Sequence, residues 1–167
     1  MEVRSKANKN LATFDLSLLR FSKIIICTDA DVDGFQIRTL ILAMLYRLTP
    51  TLIEQGYVYI AETPLYEINT KTDTYFAYND REKTAILEQI GETKYTIQRS
   101  KGLGENEPEM MSLTTMNPAT RRLVKVNPTD VEATAQMFDV LLGDDLDGRK
   151  RIIAEHGAEY LDMLDLE

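Results

Sequence analysis

Lys23-Ile24-Ile25-Ile26-Cys27-Thr28-Asp29-Ala30-Asp31-Val32-Asp33-Gly34 holds the two features that decide the fold. Three consecutive isoleucines form a β-branched run without polar alternation, which suits a strand buried on both faces, as in a parallel sheet flanked by helices. Three aspartates at alternate positions follow directly. The chemistry is expected where the strand ends.

After the acidic loop, Ile37, Leu40, Ile41, Met44, Leu45 and Leu48 recur at helical spacing with Gln36, Arg38 and Arg47 on other faces, which predicts an amphipathic helix. Pro50 interrupts it, Leu52 and Ile53 supply one more apolar turn, and Gly56 suits the left-handed residue that closes a helix. Tyr57-Val58-Tyr59-Ile60-Ala61 reads as a second strand. Strand, helix and strand in this order make a βαβ unit, whose crossover is right-handed.

Beyond it, β-prone pieces at 65–68, 75–78 and 94–97 alternate with turns at 69–71 and Gly91, and 80–90 reads as a short helix. Two further helices are expected at 130–142 and 149–164. The fold class expected is therefore α/β: a partial, Rossmann-like parallel sheet flanked by helices, with a C-terminal helical extension. It divides into a basic N-terminal segment (1–23), the α/β domain (24–126) and an acidic helical extension (127–167).

The chain has 167 residues, of which 27 are acidic and 19 basic, for a net charge of -8. That fits one globular domain plus a modest extension. With one Cys and one His, neither an internal disulfide nor a Cys/His zinc cluster can be assembled, and cytosol is the expected compartment. The longest apolar stretch, Leu40 to Tyr46, is far short of a membrane span, and the N-terminus is too polar for a secretory signal. Residues 1–23 carry Arg4, Lys6, Lys9, Arg20 and Lys23 against Glu2 and Asp15, whereas 127–167 carry eleven acids against Arg149, Lys150 and Arg151. The acidic total argues against nonspecific coating of nucleic acid; the positive first segment suits either an anion or plain solvation.

Two carboxylates about 5 Å apart at an effective dielectric of about 20 repel by roughly 3 kcal/mol, enough to raise one pKa by roughly two units unless a cation intervenes. Oxygen ligands without His or Cys favour Mg²⁺, Mn²⁺ or Ca²⁺. A helix-loop-helix calcium site also begins D-x-D-x-D-G, but its twelfth position should be Glu and is Leu40 here, and a strand precedes the loop. A helix cap is the remaining reading, and it needs only one or two of the aspartates.

Thr28-Asp29-Ala30-Asp31-Val32-Asp33-Gly34 followed by Ile37-Arg38-Thr39-Leu40 resembles the Toprim segment of bacterial type IIA topoisomerase B subunits, of the gyrase or topoisomerase IV kind. Gly56–Ala61 with Thr63-Pro64-Leu65-Tyr66, then Gln98–Asn106 with its Lys101-Gly102-Leu103-Gly104-Glu105, then Thr114–Pro118 with Arg121-Arg122-Leu123, continue the likeness in order over roughly residues 20–160. The resemblance implies magnesium-dependent support of DNA cleavage and religation, with ATP used by a domain N-terminal to Toprim and the nucleophilic tyrosine on a partner A subunit. By position it makes Asp29 and Asp31 the catalytic residues and principal Mg²⁺ ligands, with Asp33 a further ligand or a neighbour. Mn²⁺ or Ca²⁺ could substitute. It favours Lys101, and more weakly Arg99, as a neighbour of the DNA backbone or of the metal site; Arg38, near the start of its helix, is placed to face either DNA or the carboxylates, and Arg121 and Arg122 are weaker candidates for DNA or the A subunit. The setting implied is cytoplasmic and nucleoid-associated, with no membrane partner.

Two departures stand out. The family's upstream Glu-Gly-Asp-Ser motif does not precede Lys23, so the metal site is incomplete and the chain is expected to be a fragment, inactive alone. Phe35-Gln36 replaces the family's usual Ser-His, and Gln36 can donate a hydrogen bond but carries no charge. A noncatalytic module docking the A subunit and DNA is the alternative. The second acidic loop, Gly143–Arg149, reads as a solvated turn, His156 as a surface residue and Cys27 as an inert core thiol.

Overall fold

A computed structural model describes residues 15–100, 102–128 and 130–163. Residues 1–14, Lys101, Thr129 and 164–167 lie outside the described residues, and with them most of the basic N-terminal segment and one expected DNA contact.

The isoleucine run forms β1 (Ile24–Ile26), and α1 (Val32–Leu48), α2 (Pro50–Glu54) and β2 (Val58–Ala61) complete the expected βαβ unit. β1 and β2 pair in parallel, Ile26 opposite Ile60. The helix break is where the sequence places it: Pro50 opens α2, and Gly56, at φ 75°, lets the chain turn back into β2. The core is formed by Ile26, Leu52, Ile53 and Val58, with Leu16, Leu19, Ile41, Leu42, Leu45 and Val126 packed around them. Burial of this set fixes α1 against the sheet.

The α/β class is borne out, and two details differ from the sequence reading. The sheet is mixed: β6 (Leu123–Lys125) lies antiparallel on the far side of β2, Ile60 opposite Val124. At three residues, β6 is too short to show periodicity. Second, the apolar positions of α1 do not share one face. Ile41 and Leu45 enter the core, whereas Ile37, Leu40, Met44 and Leu48 stay 43–51% exposed. The run is apolar around more than half of the helix, so spacing alone does not say which side the core takes.

β3 (Tyr66–Thr70), β4 (Thr74–Ala77) and β5 (Tyr95–Arg99) make a separate antiparallel sheet with β3 central. α3 (Asp80–Ile90) joins β4 to β5. Asn79 caps it, accepting the Glu82 N–H at 2.8 Å, and Gly91 closes it at φ 58°. From Ser100 the chain turns through Leu103–Glu105 and α4 (Pro108–Met111) into a wide turn at Ser112–Met116, then enters β6.

The acidic extension forms α5 (Val131–Leu142) and α6 (Leu146–His156). α6 starts earlier than the sequence reading because Asp145 caps it, accepting the Gly148 N–H at 2.8 Å. That bond explains the second acidic loop as a turn and cap. α5 meets α1 through Phe138 against Tyr46, ring centroids 5.3 Å apart, and through Asp139 with Arg47 at 3.3 Å.

Candidate metal centre

β1 ends at Ile26, and the next residues are held individually. Thr28 is buried; its carbonyl accepts the Thr63 hydroxyl and its own hydroxyl accepts Arg38 Nη2, each at 3.3 Å. Asp29 Oδ1 accepts the main-chain N–H of Leu103 at 2.7 Å. Asp31 caps α1, its Oδ1 accepting the Gly34 N–H at 2.7 Å. Asp33 lies inside the first turn of α1 and is exposed, at the end of the helix that favours negative charge. The helix thus begins at Val32, inside the stretch that the sequence reading gave to the loop.

Gly34 is buried because α1 starts hard against the Asp29 main chain: a Cβ at Gly34 would stand 2.1 Å from the Asp29 carbonyl oxygen. Gly102 has a different use. A Cβ there would lie 3.5 Å from Asp29 Oδ2, in ordinary contact, so glycine leaves that side of the carboxylate uncovered. The main chain of this stretch thus comes close to the Asp29 carboxylate.

Among the described residues no three His, Cys, Asp or Glu stand close enough together to enclose a metal ion. Asp29 and Asp31 nevertheless each keep donor capacity of the kind a hard cation takes. Each commits one oxygen to a main-chain N–H and keeps the other without a partner among the described residues. Mg²⁺ commonly takes only one or two carboxylates and fills its shell with water and phosphate oxygens. The donor set fits Mg²⁺ better than a calcium cage, which takes about six to eight oxygens.

The remaining sequence candidates separate clearly. Arg38 turns inward; its Nε is shut from solvent and has no partner among the described residues, and Phe35 covers it, ring centroid 5.1 Å from Cζ. Burial pushes its pKa down. The Phe35 of the altered Phe35-Gln36 pair therefore packs on Arg38, while Gln36 is exposed. Arg99 ends β5 opposite Tyr66, on the approach to the loop that holds Asp29. Arg122 stacks on Tyr78 at 3.9 Å and pairs with Glu82 at 2.9 Å, and Arg121 reaches the Met116 carbonyl. For Cys27, burial and then Asp29 push the thiol pKa up, which keeps it protonated and unreactive. His156 is exposed beside Glu159.

Sequence reasoning did not single out Thr28 and Thr63. Their signal was position: both follow the ends of neighbouring parallel strands, where α/β sheets place their sites.

Residues 2–63 match the Toprim domain model, and residues 92–154 match the model for the carboxyl terminus of the DNA gyrase B subunit. The chain is 46% identical over 152 residues to the DNA gyrase B subunit of Clostridium acetobutylicum, covering 90% of this chain and 24% of the relative. It is 45% identical over 150 residues to the DNA gyrase B subunit of Archaeoglobus fulgidus, covering 90% and 23%. For the corresponding Thermotoga maritima protein the identity is 43% over 150 residues, covering 90% and 24%. The chain spans about a quarter of the length of these curated relatives. With the Toprim segment and the gyrase B carboxyl-terminal segment following each other in order, the chain belongs to the DNA gyrase B family.

Proposed function

We propose that this chain is the cleavage-supporting segment of an ATP-dependent type IIA DNA topoisomerase B subunit. It works on DNA in the cytoplasm, at the nucleoid, with an A-type subunit that supplies the nucleophilic tyrosine and a further domain that hydrolyses ATP. Asp29 and Asp31 are its metal ligands and Asp33 adds negative charge beside them. The observation that carries this reading is the contact of Leu103 with Asp29, because it brings the two family motifs together on one carboxylate.

Each residue has a defined task. Leu103 and Gly34 donate main-chain N–H groups that orient Asp29 and Asp31. Gly102 keeps the approach to Asp29 open. Arg99, with Lys101 beyond it, meets the sugar-phosphate backbone, a contact that positions a duplex without reading its sequence. When bound, Mg²⁺, or Mn²⁺ or Ca²⁺ in its place, neutralises charge on the scissile phosphate and the oxygens exchanged there.

The alternative, a docking module without metal function, draws support from the exposed apolar line Ile37, Leu40, Met44 and Leu48 on α1. DNA cleavage by the complete B-type protein with its A-type partner separates the two. Cleavage in Mg²⁺ that stops with EDTA supports the metal role; EDTA-resistant cleavage contradicts it.

A further inference from the structure

Thr28 is anchored from two elements other than its own strand. Arg38, at the end of the second turn of α1, donates to its hydroxyl oxygen, and Thr63, past the end of β2, donates to its carbonyl. Both threonines are buried, at 6% and 8% exposure. The carbonyl held by Thr63 belongs to the peptide that joins Thr28 to Asp29. A peptide is planar, so fixing that carbonyl also fixes the Asp29 nitrogen and the starting point of its side chain. Arg38 holds the Thr28 side chain beneath it.

Arg38 is poorly placed for a ligand of its own. Its Nε is closed to solvent, and the cleft beside it, about 250 Å³, is lined by Arg38 and Arg122 together with Glu62 and Glu82. Two cations and two anions offer an incoming phosphate no net attraction. A guanidinium held in this half-buried place costs desolvation energy, and its hydrogen bond goes to Thr28.

The geometry points to Arg38 and Thr63 as positioning residues that act through Thr28 to aim the Asp29 carboxylate at the bound cation. This rests on the metal reading of Asp29 and Asp31. Groups that touch a metal ligand directly commonly change metal affinity by about 10- to 100-fold when lost, so residues that act on Asp29 through Thr28 are expected at the low end of that range.

The test is Mn²⁺ binding to the complete B-type protein without nucleotide, followed by loss of the free-ion EPR signal. Thr63→Val, Thr28→Val and Arg38→Met are each expected to weaken binding roughly 10-fold. Thr28→Ser, which keeps the hydroxyl, retains wild-type affinity. Amide exchange across β2 monitors folding, and if Arg38→Met does not fold, Thr63→Val carries the test. Equal losses in Thr28→Ser and Thr28→Val overturn the inference, since packing and not the hydroxyl is then responsible. Unchanged binding in Thr63→Val and Arg38→Met while Asp29→Asn abolishes it overturns the inference alone. Unchanged binding in Asp29→Asn overturns both it and the metal reading.

Discussion

The main-chain N–H of Leu103 donates to Asp29 Oδ1 at 2.7 Å, joining positions 74 residues apart. Hydrogen bonds to a charged acceptor contribute about 1.5–3 kcal/mol, so this one ties the turn after β5 to the end of β1. Leu103→Pro removes the donor with little backbone conflict, because Leu103 opens a helical turn and Gly102 before it is extended. The expected outcome is a loss of metal-dependent cleavage with the β3–β4–β5 sheet still protected in amide exchange. Cleavage at the wild-type level would show that the contact is dispensable.

Gly34→Ala is expected to destabilise the domain by at least about 1–3 kcal/mol, the usual range for overpacking. The added methyl would meet the Asp29 main chain at 2.1 Å, and neither partner is a side chain that can swing away. Urea unfolding of wild type and variant measures the difference. An unchanged midpoint would mean that the start of α1 can shift away from the acidic loop.

Arg149 closes the end of α5. Its Nη1 lies 2.7 Å from the Gly143 carbonyl and 3.2 and 3.3 Å from those of Val140 and Leu141, so one guanidinium nitrogen serves three acceptors that the helix leaves unpaired. Arg149→Met should cost about 1–3 kcal/mol and speed amide exchange at the junction of α5 and α6. Arg149→Lys should recover only part of this, since an ammonium lacks the planar fork.

Glu82 should report on the link between α3 and the segment entering β6. Burial alone would push its carboxyl up, but the bonds from Arg122, the Tyr78 N–H and Asn79 outweigh burial and leave it below the ordinary glutamate value. With the folded pKa depressed, the stabilisation is fully present above the unfolded value, about 4.3, and is lost as pH falls through the lower folded value. Arg122→Met should raise the Glu82 pKa and weaken this acid dependence, as read by carboxyl-carbon NMR titration. A titration curve unmoved by the variant would rule out the pair as its cause.

Much of the frame could be read from the residues themselves. The triple isoleucine, Pro50 and Gly56 mark the βαβ unit because each has a local physical reason, an unbroken β-branched run, a missing N–H and a positive φ, although of the three isoleucines only Ile26 is buried. β6 and the split face of α1 could not be read that way. The first is set by an edge that only the folded sheet offers, and the second by which side of an apolar helix meets Leu52 and Val58. At the site, the aspartates announced themselves by charge density and Gly102 by its motif. The two threonines did not, because a Thr beside a strand end carries no signal until the neighbouring strand is known.

Whether Asp29 and Asp31 hold the cation needed for DNA cleavage is decided by Mg²⁺-dependent cleavage of a DNA duplex by the complete B-type protein and its A-type partner, comparing wild type with Asp29→Asn and Asp31→Asn. Both substitutions keep size and polarity while removing charge, and Asn still caps a helix. If the two carboxylates are the metal ligands, cleavage collapses in both variants while the A-type and B-type proteins still associate. Cleavage at wild-type levels in both would contradict the metal role and leave the acidic loop as a structural cap.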